Sequence, residues 1–206
     1  MERKMKEYVA KKVKLPDNIC DKIWEGIEAV SLDFVWEDAF PSPYKTTARM
    51  VHSEEGVTVK MTAEEWPLRI TTMELNGSIC TDSCMEFFFT PNATDKDYIN
   101  VEINPAGVSL ISIGEGRYNR RRIDISGEGV RVETLIKPLE GWELMLFLPY
   151  SFMKKYFSEV SGLFRANFYK CGDKTVIQHY CTWNEVVAPK PDYHRPECFG
   201  KITLEG

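Results

Sequence analysis

Residues 82–104 read D-S-C-M-E-F-F-F-T-P-N-A-T-D-K-D-Y-I-N-V-E-I-N, and this stretch decides the fold of the chain. Two runs rich in β-branched and aromatic residues flank a polar segment that contains Pro91, Asn92 and Asp95. Such a pattern is typical of two strands joined by a turn. The sequence therefore predicts a β-hairpin here.

Both strands of this hairpin carry polar residues that need an explanation. In the second run apolar and polar residues alternate, in the order Ile99, Asn100, Val101, Glu102, Ile103 and Asn104. In the first run Glu86 stands among phenylalanines, where a charge costs free energy unless it has partners or water. Paired across a sheet, Glu86, Asn100 and Glu102 would present carboxylate and amide groups on one rigid surface. These groups suit a ligand with many hydroxyl groups.

The composition of the 206 residues is that of an ordinary soluble globular protein. A net charge of -5 does not favour binding to a phosphate backbone, so nucleic acid is not an expected partner. No apolar run approaches the length of a membrane span, and we expect no membrane partner. The length suits one large all-β domain.

The amino-terminal residues 1–27 are expected to form a basic arm or an edge segment, with residues 28–206 as the main β-sandwich. The first residues are basic, but no apolar signal-peptide core follows them. The sequence as it stands predicts a cytoplasmic location, or secretion if a leader has been removed.

Turn signals recur along the rest of the chain and separate about ten short runs with strand patterns. Two short helices are predicted, at residues 21–28 and 150–157. This arrangement predicts an all-β fold, an antiparallel β-sandwich of the immunoglobulin or DOMON-like kind with one or two short helices.

The sequence favours no resident metal or cofactor, with calcium as the one candidate. The cysteines, six in number, form no C-x-x-C pair and are expected to be free, buried thiols. The three histidines are too scattered to predict a metal triad. Asp95 and Asp97 in the hairpin loop are weak calcium candidates, since exposed turn aspartates usually bind nothing.

Several separated motifs together carry a resemblance to a known family. They are K-T-T-A-R at 45–49, the central hairpin followed by P-A-G, F-R-A-N-F-Y at 164–169, T-W-N at 182–184 and K-P-D-Y-H-R-P-E-C-F-G at 190–200. In this order they resemble the family 9 carbohydrate-binding modules, and more narrowly the free-standing family 9-like group. The resemblance implies a β-sandwich without catalytic groups that binds a mono- or oligosaccharide, with a glycoside hydrolase as a partner and, in some members, structural calcium.

The resemblance also implies a set of sugar-binding residues. Trp183 matches the second of two tryptophans that sandwich a sugar, and Glu86 matches the acidic residue of the family's D-x-x-E-x-F strand. Asn100 and Glu102 fall on the polar face of the neighbouring strand. Cys80 stands where the first tryptophan is expected, which puts a two-sided aromatic clamp in doubt.

Two further residues are expected at the edge of the site, and three alternatives stay open. Trp66, at a bend beside Pro67, could replace the missing tryptophan, and Arg165 could point toward the same cleft. Trp183 could instead be a core residue. Glu86 and Glu102 could instead act as the acid and nucleophile of a glycoside hydrolase, or the domain could be a scaffold that has lost sugar binding.

Overall fold

The structure is a computed structural model, and it describes residues 5–36, 40 and 42–206. These residues form fourteen strands, one α-helix and three short 3-10 helices. The helix α1 spans Tyr150–Met153, and the 3-10 helices span Lys22–Gly26, Ile79–Thr81 and Pro196–Cys198. None of the helices in these residues has the length and hydropathy of a membrane span.

The strands are numbered in chain order along the described residues. In chain order they are β1 (Glu7–Lys12), β2 (Val30–Ser31), β3 (Phe34–Val35), β4 (Thr46–His52), β5 (Gly56–Ala63), β6 (Cys84–Thr90), β7 (Tyr98–Ile103), β8 (Ser109–Gly114), β9 (Arg121–Arg122), β10 (Arg131–Lys137), β11 (Gly141–Pro149), β12 (Leu163–Gly172), β13 (His179–Thr182) and β14 (Gly200–Leu204).

The strands form the two faces of a β-sandwich. The first sheet has the order β10-β11-β5-β4, with β2 on the outer side of β4. The second has the order β14-β12-β6-β7-β8-β9, with β13 beside β12 and β3 beside β13. Strand β1 runs parallel to both β14 and β4 and joins the two sheets. The predicted all-β sandwich is confirmed.

The amino-terminal segment, predicted to be a basic arm or an edge segment, contains strand β1. Its first half pairs with β14 and its second half pairs with β4, so it lies inside the strand order. Tyr8 and Ala10 point into the core from β1. The alternation of these two buried residues with exposed ones, together with the two pairings, explains why this segment is a strand and not an arm. Residues 1–4 lie outside the described part.

The main core fills the space between the two sheets. The hairpin predicted from residues 82–104 is present as β6 and β7, and its register pairs Glu86 with Glu102. Since side chains alternate along a strand, Phe87, Phe89 and Val101 enter the core. The ring of Phe87 stacks on Phe89 at 5.0 Å and on Phe168 at 5.1 Å.

The opposite face of the second sheet is also covered. Residues 186–199, here called the covering segment, pack across it and form a second apolar cluster with Phe88, Tyr98 and Tyr169. As a result Glu86, Asn100 and Glu102 are at most 8% exposed. The sequence predicted that these groups would face an open surface. In the structure Glu86 and Glu102 instead line a pocket, and Asn100 is covered.

Candidate functional site

A pocket of about 210 Å³ opens between the second sheet and the covering segment. Its wall on the sheet side is formed by Glu86 and Glu102, and its other walls include Asp173, Tyr180, Tyr193 and His194. We call it the carboxylate pocket. It lies on the face of the sheet that points away from the main core.

The two glutamates of the carboxylate pocket face each other across β6 and β7. Glu86 is 3% exposed and Glu102 is 8% exposed. Burial, followed by the negative charge of Glu102, raises the pKa of Glu86 well above its usual value. Burial also raises the pKa of Glu102 to about 7, although a hydrogen bond from Asn100 opposes the shift. The pocket therefore holds two carboxyl groups that take up protons far more readily than exposed glutamates do.

The nearest polar partners of Glu86 are thiols. Cys171 Sγ lies 3.0 Å from Glu86 Oε1, and Cys84 Sγ lies 3.8 Å from the same oxygen. Within the described residues, no lysine, arginine or histidine forms an ion pair with this carboxyl group. A thiol is a weak donor, so the carboxyl group is buried with little compensation from the protein.

A network of hydrogen bonds fixes Asn100 and, through it, Glu102. The Asn100 amide donates to Glu102 Oε1 at 2.9 Å, while its oxygen accepts from Arg120 Nε at 2.9 Å. Arg120 also donates to the carbonyl oxygens of Tyr98, Gly114 and Gly116. Asn100 does not line the pocket, so its role is to position Glu102.

The covering segment is held against the sheet by aromatic contacts. The ring of Tyr193 stacks on Tyr169 at 4.2 Å, and its hydroxyl donates to the Lys170 carbonyl at 2.8 Å. His194 Nδ1 lies 2.7 Å from the hydroxyl of Tyr98, and burial lowers the pKa of His194 to about 3. These contacts make the pocket wall a rigid part of the fold.

The mouth of the carboxylate pocket carries an ion pair and an exposed ring. Arg117 Nη1 lies 3.1 Å from Asp192 Oδ1. Tyr118 is 81% exposed and lies beside Arg117 in the adjoining surface depression. In the structure Arg117 lines the pocket and Arg120 holds Asn100.

The prediction that the Trp183 ring faces a cleft is wrong. Trp183 is 1% exposed and belongs to the main core, with its ring 5.5 Å from that of Phe168. It follows β13, and its side chain lies on the core side of the second sheet, opposite the carboxylate pocket. A sugar cannot stack on this ring while the core is intact.

The structure does not bring Arg165 or Trp66 to the pocket either. Arg165 pairs with Thr90, four residues along β6 from Glu86. At the rise of a strand this is about 13 Å. Arg165 instead donates to the carbonyl oxygen of Asp95 at 3.3 Å. Trp66 is 38% exposed and is not part of the pocket wall. Cys80, by contrast, does line the pocket.

Of the two aspartates in the hairpin loop, Asp95 forms hydrogen bonds that hold the loop in place. Asp95 accepts hydrogen bonds from the Asn92 amide at 2.8 Å and from the Ser158 hydroxyl at 2.8 Å. Asp97 is exposed. No group of three acidic, cysteine or histidine side chains forms around them in the described ranges. Calcium binding at these residues stays a prediction.

A second buried carboxylate lies on the core side of the same sheet. Glu65 Oε2 forms an ion pair with Lys170 Nζ at 2.8 Å, and Glu65 Oε1 accepts from the Ser83 hydroxyl at 2.8 Å. Lys170 also lies 2.8 Å from His179 Nε2. The three charged or titratable side chains are 0% exposed. None of these three side chains lines the carboxylate pocket.

Several residues of the pocket wall were not found from the sequence. Asp173 follows β12 in a turn, while Tyr193 and His194 belong to the motif K-P-D-Y-H-R-P. From the sequence, this motif supported the family resemblance but did not predict a pocket wall. The tyrosine and histidine between its prolines could have indicated a packed segment, because flexible segments are poor in aromatic residues.

The comparisons with known proteins agree with this fold. The sequence model of carbohydrate-binding family 9 matches residues 18–204. The chain belongs to carbohydrate-binding family 9. No curated protein sequence matches it significantly.

Solved structures related to this family 9 chain cover nearly all of it. A presumed carbohydrate-binding protein from Bacteroides uniformis has 28% sequence identity and a TM-score of 0.84, over 98% of this chain and 100% of that one. A family 9 module from Caldicellulosiruptor kristjanssonii in complex with cellotriose has 12% identity and a TM-score of 0.68, over 98% and 94% of the chains. The same kind of module with glucose has 12% identity and a TM-score of 0.70, over 98% and 96%. The two latter matches support the fold alone.

Proposed function

We propose that this protein binds a single sugar unit in the carboxylate pocket, either a monosaccharide or the end of an oligosaccharide chain. The observation that carries the proposal is the buried pair of Glu86 and Glu102 at the wall of an open pocket. In this proposal Asn100 positions Glu102, and neither glutamate is catalytic.

The size of the pocket limits the ligand. Its volume of about 210 Å³ is below the roughly 300–1,000 Å³ that pockets for drug-sized ligands have. One pyranose ring therefore suits the pocket, whereas several linked rings would extend past its mouth.

The chemistry of the wall suits sugar hydroxyl groups. Three carboxyl groups line the pocket, from Glu86, Glu102 and Asp173, and they accept hydrogen bonds from hydroxyl hydrogens. Arg117 is the one arginine or lysine among the described residues that line it, and it donates to hydroxyl oxygens. A hydrogen bond contributes about 0.5–1.5 kcal/mol when both partners are neutral and about 1.5–3 kcal/mol when one of them is charged.

Aromatic rings in the pocket replace the expected tryptophan clamp. Phe88, Tyr180 and Tyr193 contribute to the wall, and Tyr180 is the most exposed of the three. Aromatic faces pack well against the apolar C–H groups of a sugar. The pocket therefore offers an apolar side as well as a polar one without Trp183.

The related proteins support carbohydrate binding in general, without support for particular contacts. The family is named for carbohydrate binding, and the two modules from Caldicellulosiruptor kristjanssonii were solved with cellotriose and glucose. Glucose and cellotriose are thus sensible first ligands. A glycoside hydrolase as a partner is a further proposal that follows from the family resemblance.

The geometry gives less support to hydrolysis. A glycosidase needs two carboxyl groups that flank the bond to be broken. Glu86 and Glu102 are directly opposed on neighbouring strands, so they lie side by side on one wall. We expect no turnover of aryl glycosides by the protein.

Isothermal titration calorimetry tests the proposal. The reduced protein is titrated with glucose, galactose, mannose, xylose and cellotriose, and then repeated as the Glu102→Gln variant. Glu55→Gln is the control, because Glu55 is exposed in the turn between β4 and β5. We expect binding of at least one sugar, weakened about tenfold or more by Glu102→Gln and unchanged by the control. Binding that Glu102→Gln leaves unchanged, or no binding of any of these sugars, would contradict the proposal.

A further inference from the structure

Three buried side chains meet at the floor of the carboxylate pocket. The ligand atoms of Cys84, Glu86 and Cys171 all lie within 4.8 Å of one another. In the described part of the chain, no other three acidic, cysteine or histidine side chains come together in this way. Their exposures are 0%, 3% and 2%, so the group is enclosed by the protein.

The sheet fixes these side chains in place. Cys84 and Glu86 are two residues apart on β6 and therefore point to the same face. Cys171 lies directly opposite Cys84 on β12. All three belong to central strands of the second sheet, where each backbone is held by its neighbours. The arrangement therefore exists before any ligand binds.

The spacing of the donor atoms suits a small tetrahedral ion. Zinc binds thiolate sulfur at about 2.3 Å and carboxylate oxygen at about 2.0–2.2 Å, so two ligand atoms on one ion lie roughly 3–4 Å apart. The two sulfur-to-oxygen distances to Glu86 Oε1 are 3.0 Å from Cys171 and 3.8 Å from Cys84. Only small side-chain rotations separate this geometry from a coordinated one.

The local charge also favours a cation. Glu86 has two thiols and a second carboxyl group around it and no cationic partner in the described residues. Burying a carboxylate in this way is costly unless a positive charge joins it. A bound metal ion supplies that charge and deprotonates the thiols that it binds.

We propose that Cys84, Glu86 and Cys171 form a site for a thiophilic divalent cation such as Zn²⁺. Two thiolates and one carboxylate are the ligands, so the two thiol protons, and the Glu86 proton where that group is protonated, pass to the solvent when the ion binds. Thiolate ligands select zinc and similar ions over calcium and magnesium, which prefer oxygen.

The pocket gives the ion a route and an open position. Glu86 and Cys171 line the carboxylate pocket, whereas Cys84 lies behind them. The side of the ion that faces the pocket would be left for water or for a neighbouring group such as Glu102. Three protein ligands with water in the fourth position is a known arrangement of protein-bound zinc.

Titration with metal alone tests the proposal, without any sugar. The full chain is reduced, treated with a chelator and desalted, and it carries Cys20→Ser to remove the exposed thiol. Zn²⁺ binding is followed by calorimetry, and Cd²⁺ binding by the ultraviolet charge-transfer band of a cadmium thiolate. We expect one equivalent of each metal and a clear cadmium band.

Single variants assign the ligands. Cys84→Ser and Cys171→Ser should each weaken metal binding at least about tenfold and reduce the cadmium band. Cys198→Ser is the matched control, because Cys198 is also buried but lies outside the group. Glu86→Gln provides a second measurement if a serine variant fails to fold, and it should weaken binding while the band remains.

Three results would overturn the proposal. One is the absence of a cadmium band, and another is a band that survives both Cys84→Ser and Cys171→Ser. The third is a Cys84–Cys171 disulfide in protein purified without reductant that re-forms in the presence of Zn²⁺. Since sugar is absent from these experiments, failure of the metal site leaves sugar binding to its own test.

Discussion

Two buried glutamates contact opposite faces of the same strand, and they differ in their partners. Lys170 and Cys171 are neighbours on β12, so their side chains point to opposite sides of the sheet. On the core side Lys170 forms an ion pair with Glu65 at 2.8 Å. On the pocket side Cys171 meets Glu86, whose described neighbours are thiols and another carboxyl group.

The different partners of Glu65 and Glu86 indicate different roles, one in stability and the other in ligand binding. Glu65 has a cation and a hydroxyl donor, and it does not line the carboxylate pocket. Glu86 has no cationic partner among the described residues and lies at an opening to solvent. A buried charge with all its partners holds a fold together, whereas one with unmet partners is suited to binding a ligand.

The largest expected effect on folding stability comes from breaking the ion pair between Glu65 and Lys170. Glu65→Ala leaves the Lys170 charge buried without a partner, which typically costs about 3–5 kcal/mol of folding free energy. Urea unfolding followed by tryptophan fluorescence measures the loss.

The double variant Glu65→Leu with Lys170→Met is the control for this measurement. It removes both charges together and should recover most of the lost stability. If Glu65→Ala cost no more than Glu86→Gln does, the distinction between the two glutamates would be wrong.

We expect an intermediate effect on folding stability from the protonation of His194 at low pH. Burial lowers the pKa of this residue to about 3 in the folded protein. An unfolded histidine has a pKa near 6.5, so below that pH the unfolded chain takes up a proton that the folded chain does not. Stability from this group is therefore present above pH 6.5 and falls as the pH drops from 6.5 toward 3. Between pH 7 and pH 5 the loss is about 2 kcal/mol.

Comparison of the wild type with His194→Gln isolates the effect of this one group. We expect the variant to lose about 2 kcal/mol less stability than the wild type when urea unfolding is repeated at pH 7 and pH 5. Equal pH dependence in the two proteins would mean that His194 can be charged in the folded state.

A small effect on stability is expected from Glu86→Gln. The amide keeps the size of the side chain and removes a carboxyl group that has no cationic partner among the described residues. The change in unfolding free energy should be within about 1 kcal/mol, and in the stabilising direction. A loss as large as that of Glu65→Ala would show that Glu86 is structural.

Much of the fold follows from local patterns in the sequence. Alternation in residues 99–104 and the polar turn after Pro91 predict β6 and β7, and this hairpin is present. The same alternation places Glu86, Asn100 and Glu102 on one face. These predictions succeed because a strand's period of two residues depends only on neighbouring residues.

The rest depends on contacts between distant parts of the chain. The ring of Trp183 could face either side of its sheet, and packing against Phe168 decides the side. The covering segment reads as a proline-rich tail, and only its contacts with Tyr169 and Tyr98 make it a pocket wall. Likewise, Glu86 meets Cys171 through a pairing of strands 85 residues apart in sequence.

The most direct test of the account compares Glu86→Gln with Trp183→Phe in calorimetric titrations of the sugar that binds the wild type most tightly. Both variants are measured at a temperature where they are folded. We expect Glu86→Gln to weaken binding by about 1 kcal/mol, the usual contribution of one hydrogen bond, and Trp183→Phe to bind as the wild type does. Wild-type affinity in Glu86→Gln together with lost binding in Trp183→Phe would contradict it.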